Sequence, residues 1–342
     1  MDVSWGAVDG VSGGCGNPPP GNVTAVDRTD RDLALNAEEL PLSTGIRNEI
    51  EIDESLVRAL LRGQHPDLAG LALRPVASGW DNQLWRLGDE LAVRLPRTPR
   101  APALLRKEWD WLPRLAPLLP LPVPTPVRQG APTERFPLPW TVVTWVPGEP
   151  CDRAPITRGR HAAETLARFL RALHHEAPAE APANADRGVP LAVLPQGFDE
   201  GSPVVASTGV AAEVRRVWEE AVAAPAWAGP PVWLHGDLHP ANVVTSDGTL
   251  TGVVDFGELC AGDPATDLAA AWLLLPEGAD AHFFEAYADA DEATIRRARG
   301  WAVRSSLGLI SIGLAWERGL PGGRPTWGKA GRAALARVLV SP

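Results

Sequence analysis

The sequence predicts an α+β chain of two lobes, a small antiparallel β lobe followed by a larger, mainly helical one. Three short apolar runs, "LALRPVAS" (71–78), "QLWRLG" (83–88) and "LAVRLPR" (91–97), stand close together, separated by "GWDN" and "DE", as the strands of a meander do. After "PGEP" (147–150) the apolar residues change to a three- and four-residue recurrence, the spacing of buried helix faces. Only "VWL", "NVVT" and "LTGVVDF" interrupt these helices as short strands.

Taken in order, residues 1–48 contain "VSGGCGNPPPGN" and no sustained apolar period, so a disordered extension is expected there. The β lobe is assigned to 49–146. It opens with a helix near 54–63, where Leu56, Val57, Leu60 and Leu61 follow the cap Asp53. In the third strand, alternation puts Leu91, Val93 and Leu95 on one face and Ala92 and Arg94 on the other. A helix near 101–112 then carries Glu108 within reach of Arg94. Residues 113–139 hold nine prolines and are expected to run as extended chain up to a strand, "WTVVTWV". In the helical lobe, 147–342, Thr157 is the expected cap of a helix burying Ala162, Leu166, Phe169, Leu170 and Leu173. Further helices are expected near 209–224, 264–275, 279–289, 293–316 and 329–340.

Composition narrows the function. A formal charge of −10 over 342 residues argues against nucleic acid as a partner, since phosphate neutralisation needs basic patches. No stretch reaches the ~18 apolar residues of a membrane helix, and the first residues lack the basic-then-apolar order of a secretory signal. No membrane association is expected, and the expected location is the cytoplasm. Cys15, Cys151 and Cys260 are far apart and without metal or redox spacing. Acidic residues outnumber basic ones 24 to 17 in 146–342, against 11 to 12 in 49–145. That imbalance points to a cationic ligand on the helical lobe, approached past Glu258, Asp263, Asp280, Glu285 and Asp289.

The chemistry concentrates in "VWLHGDLHPANVV" (232–244) and the "DFG" at 255–257. Strands on either side of the loop bring Asp237, Asn242 and Asp255 together. Phosphoryl transfer needs a carboxylate that orients an attacking hydroxyl and oxygen ligands that hold Mg²⁺ against the phosphates, and Asp, Asn and Asp supply those parts.

"HGDLHPAN" followed by "VVDFG" resembles the catalytic loop and metal-binding segment of protein-kinase-like enzymes. The glycine after His235 and the continuation "GDPATDLAAAW" are similar to the aminoglycoside phosphotransferase family. The resemblance covers about residues 50–342 and is sharp at 234–270. It implies a bilobal protein-kinase-like fold and transfer of the γ-phosphate of ATP or GTP, with Mg²⁺, to a hydroxyl of a small molecule such as an aminoglycoside or macrolide. Carried over by position, Asp237 is the catalytic base, Asn242 and Asp255 are the Mg²⁺ ligands, and His235 and Asp267 are scaffolding. Arg94 stands where the family has its nucleotide-binding lysine, with Glu108 as its helix partner. This is a departure, because a planar guanidinium is not equivalent to an ammonium. The loop over the phosphates is "SGWDN", with Ser78 and Gly79, and Thr144 and Val146 meet the nucleotide base.

Two other readings stay open at this point. His235, Asp237 and His239 form a His-x-Asp-x-His set that a metallohydrolase could use for zinc, and Arg94 could mark a pseudo-kinase that binds nucleotide without turnover. Taken singly, His239 reads as an exposed loop histidine, His174 and His175 as partners of a helix dipole, and the tryptophans as packing.

Overall fold

The computed structural model describes residues 51–76 and 79–341; the expected extension 1–48 and Ser78 lie outside the described residues. Helix α1 (Glu54–Gln64) starts at Asp53, whose carboxylate accepts the Leu56 N–H at 2.7 Å, and buries Leu56, Val57, Leu60 and Leu61. Strands β1 (Leu73–Pro75), β2 (Asn82–Leu87) and β3 (Leu91–Pro96) follow, then helix α2 (Ala101–Leu115), β4 (Pro126–Gly130) and β5 (Trp140–Thr144). The five strands form one antiparallel sheet in the order β1-β2-β3-β5-β4. Strand β3 is therefore central, and Arg94 sits opposite Leu84 on one side and Thr141 on the other. Val93 and Leu95 enter a core with Leu56, Trp85 and Trp140, while Ala92 and Arg94 face a cleft.

The proline-rich segment departs from expectation. Helix α2 runs three residues further than predicted, through Pro113 to Leu115, and Pro126 opens an edge strand where extended chain without a partner was expected. Pro126 is tolerated there, because a first strand residue or an edge can do without a ladder N–H, whereas Pro113 removes one hydrogen bond from the last turns of α2.

The helical part comprises β6 (Glu149–Pro150), α3 (Gly159–Leu173), α4 (Pro195–Gly201), α5 (Ala211–Ala223), β7 (Val232–Leu234), β8 (Val243–Ser246), β9 (Thr249–Val253) and β10 (Cys260–Gly262). It continues with α6 (Ala265–Leu268), α7 (Ala270–Leu274), α8 (Ala279–Tyr287), α9 (Glu292–Glu317) and α10 (Trp327–Val340). β6, β8 and β9 make a three-stranded sheet, and β7 pairs with β10. Thr157 does not cap α3: its N–H and that of Arg158 bond to the Gly248 carbonyl, and the helix begins beyond them. The predicted stripe of α3 is buried in a second, larger core, and α9 packs against α5 and α10. Leu112 and Leu115 of α2 and Val123 also belong to this larger core. Helix α2 thus anchors Glu108 to the larger core. Among the described residues, no helix is long and apolar enough to cross a membrane.

Candidate active site

The loop between β7 and β8 is held from behind. Both ring nitrogens of His235 are engaged, Nδ1 accepting the Asp237 N–H at 3.2 Å and Nε2 donating to the Val254 carbonyl at 3.0 Å. Buried Asp267 accepts the N–H groups of His235 and Gly236 at 2.7 and 2.9 Å. His174 Nε2 lies 3.3 Å from Asp267, with its Nδ1 2.8 Å from the Tyr287 hydroxyl. Gly236 has φ +84°, and a Cβ there would come within 2.6 Å of the Glu258 carbonyl oxygen. Gly236→Ala is accordingly expected to cost about 2 kcal/mol or more of stability, combining left-handed strain with a backbone clash. Denaturant titration measures this directly, and an unchanged midpoint would show that the loop has room.

On this frame the three polar side chains converge. The Asn242 amide nitrogen donates to the Asp237 carbonyl at 2.9 Å and to Asp237 Oδ2 at 3.3 Å. The Val254 N–H to Asn242 carbonyl bond, 2.8 Å, fixes the following segment beside the loop. Asp255 has φ +64°, a strained conformation that asparagine and aspartate adopt more readily than other side chains. Its carboxylate is half exposed in the cleft and 3.7 Å from Arg94 Nη2. Arg94 in turn pairs with Glu108, both side chains being buried. Burial works against the charge of Arg94, but Glu108 and Asp255 outweigh it and hold the guanidinium ionised. Burial likewise resists the charge of Asp237. The His239 hydrogen bond and the charges of His239 and Arg187 overcome it and keep Asp237 well below the usual carboxylate range.

These groups line one cleft of about 780 Å³ between the five-stranded sheet and the helical part, together with Gly79, Thr144 and Val146. The Gly79 N–H closes a tight turn onto the Asn82 carbonyl at 3.0 Å. Thr144 uses its N–H and hydroxyl on Thr125 and Val123, whereas Val146 lines the cleft without such bonds. Arg100, next to the first turn of α2, donates to both oxygens of Asp81 at 2.9 and 2.6 Å and to Glu258 at 2.8 Å. Glu258 also accepts from Asn184 at 2.8 Å.

The description Phosphotransferase enzyme family (APH) matches residues 72–301, two thirds of the chain. The chain belongs to the phosphotransferase enzyme family. Among curated relatives, an aminoglycoside 3'-phosphotransferase of Escherichia coli is 29% identical over 147 residues, which are 40% of this chain and 53% of that protein. One of Salmonella typhimurium is 28% identical over 172 residues, 44% of this chain and 62% of that protein. The chain therefore spans about half to three fifths of the curated relatives it matches. Among solved structures, the GDP complex of aminoglycoside 2'-phosphotransferase-IIIa superposes with a TM-score of 0.61 at 18% identity, covering 84% of this chain and 99% of that one. The macrolide 2'-phosphotransferase of Brachybacterium faecium gives 0.54 at 23% identity, covering 82% and 97%. These superpositions show that the fold is the kinase-like one of such enzymes.

Several expectations about this site need correction. His235 has no nitrogen left for a metal, so the His235, Asp237 and His239 zinc set does not form. His239 is buried rather than exposed, stacked edge-on against Trp327 with Nε2 3.5 Å from Asp237. His174, the C-cap of α3, also links Tyr287 to Asp267 through its buried ring, while His175 Nδ1 lies 3.1 Å from the Ala172 carbonyl in the last turn of α3, as its helix-end reading expected. Of the five carboxylates expected along the ligand approach, only Glu258 borders the cleft. Asp263 is buried against Arg297, Asp280 accepts from Ser341, Asp289 pairs with Arg171 on α3, and Glu285 faces His282. Sequence reading also missed Arg187, whose Nη2 lies 3.4 Å from Asp237 Oδ1, and Arg304 on α9. No local signal marks either, since one lies in an irregular segment and the other looks like any polar helix position.

Proposed function

We propose that this chain transfers the γ-phosphate of a nucleoside triphosphate to a hydroxyl of a small molecule. The observation that supports it most is the convergence of Asp237, Asn242 and Asp255 on one cleft that also holds the buried Arg94–Glu108 pair. Relatives named as aminoglycoside and macrolide phosphotransferases make antibiotics of these kinds the first acceptors to try.

In this reading Asp237 receives the acceptor hydroxyl and aims its oxygen at the phosphate. Its low pKa keeps it ionised and makes it a weak proton acceptor. That suits a loose transition state, in which orientation matters more than early proton removal. Arg94 supplies positive charge for the phosphates while anchored by Glu108, and the turn at Gly79 covers them. Val146 borders the place of the nucleotide base. Asn242 and Asp255 would hold Mg²⁺, which when bound would neutralise charge on the phosphates. The donor set fits such an ion: the Asn242 nitrogen is turned to Asp237, its oxygen accepts no hydrogen bond among the described residues, and the Asp255 carboxylate is half exposed in the cleft.

Incubating the protein with Mg²⁺, ATP or GTP and a panel of hydroxylated compounds that includes an aminoglycoside and a macrolide tests the reading by mass increase of a phosphoryl group. Failure of every acceptor with both nucleotides would sink it. Asp255→Ala is expected to weaken Mg²⁺–nucleotide binding about tenfold or more while nucleotide binding without Mg²⁺ changes little. Equal Mg²⁺ dependence in both proteins, read by titration calorimetry, would remove Asp255 from the metal site.

A further inference from the structure

Helix α9 turns one face to the cleft, with Trp301, Arg304, Ser305, Gly308 and Ile312 recurring at three- and four-residue spacing along it. The other arginines with assigned roles in the cleft have carboxylate partners: Arg94 has Glu108, Arg100 has Asp81 and Glu258, and Arg187 has Asp237. Arg304 differs. Its guanidinium lies over the Trp301 ring, 5.5 Å from the centroid, and its Nε is buried with no hydrogen-bond partner. It has no ion pair among the described residues. Burial and the neighbouring Arg187 press its pKa below the ordinary arginine value, while Asp186, Asp237 and Glu200 act on it only at longer range. A cation half withdrawn from water and left without a counterion is costly unless a ligand completes it.

We propose that Arg304 is an acceptor-recognition residue that binds a carboxylate on the acceptor, while the part-buried Ile312 borders its apolar body and a neighbouring hydroxyl reaches Asp237. A planar guanidinium offers a carboxylate two parallel donors, and the apolar wall beside it strengthens the pairing by excluding water. The acceptor class is thus a hydroxylated acid with an apolar part, its carboxylate placed at Arg304. This proposal rests on the phosphotransfer reading for the role of Asp237, but its test does not require turnover.

Calorimetric titration of the full chain with three ligands of one shape separates the possibilities: phenyl glucuronide, phenyl glucoside and phenyl glucosaminide. The glucuronide is expected to bind about tenfold more tightly than the glucoside, with the amine weakest. Arg304→Met should remove that advantage, Arg304→Lys should retain part of it, and both should bind ADP like the wild type. Tightest binding of the amine, equal binding of all three, or no glucuronide binding at about 10 mM overturns the proposal. Loss of ADP affinity in Arg304→Met also overturns it, by showing that the side chain serves the nucleotide. Charge preference without any phosphoryl transfer would instead sink the phosphotransferase reading and leave the anion seat standing.

Discussion

Asp237→Asn is expected to lower kcat by about 10³-fold while leaving the nucleotide dissociation constant nearly unchanged. The amide keeps the shape of the carboxylate, so the Asn242 contact and the loop around it should persist. What is lost is the charge that accepts the acceptor hydroxyl and faces Arg187 and His239. A factor of that size corresponds to about 4 kcal/mol of transition-state stabilisation, within the range for one positioned acid–base group. Steady-state kinetics with any acceptor found in the panel, beside nucleotide titration, reads both quantities. Turnover near the wild-type rate would take Asp237 out of the mechanism.

The second large effect falls on stability. Glu108→Ala is expected to cost about 3 kcal/mol and to lower Tm by several degrees, because it leaves the buried Arg94 guanidinium with only the more distant Asp255. Glu108→Gln should cost less, since its amide oxygen still accepts from Arg94. Arg94→Lys should fold, with the ammonium pairing to Glu108 but unable to reach Asp255 at the same time. Thermal unfolding of the three variants orders them, and an unchanged Tm in Glu108→Ala would mean that the pair adds nothing to the fold.

Which parts were legible in the sequence follows from the range of the forces involved. Short-range patterns were readable: the cap Asp53, the face alternation of β3 and the stripe of α3 depend on neighbours a few residues away. The loop and "DFG" were readable because Asp237, Asn242 and Asp255 lie on segments joined by two short strands. Even Arg94 and Glu108 could be paired, being 14 residues apart on adjacent elements. Long-range placement was not readable. The contact of Arg187 with Asp237 spans 50 residues, and that of His174 with Asp267 spans 93. Counting charge in 146–342 misled, because summed charge says nothing of which face bears it: Asp280 and Glu285 on α8, and Asp289 just after it, lie away from the cleft. The strands β6 and β10, two and three residues long, carry too few side chains to show alternation.

The fastening of Arg100 to Asp81 and Glu258 sets how the cleft can open. It joins the turn at Gly79 to the segment after Asp255 through one exposed guanidinium, so lifting the turn and parting the two halves at that rim become a single event. The guanidinium is exposed, but Asp81 and Glu258 are largely withdrawn from water and Asp81 is gripped by two donors, so the pairing is stronger than that of two solvated side chains. In the proposed reaction nucleotide release would have to undo this pairing, and should quicken as ionic strength rises.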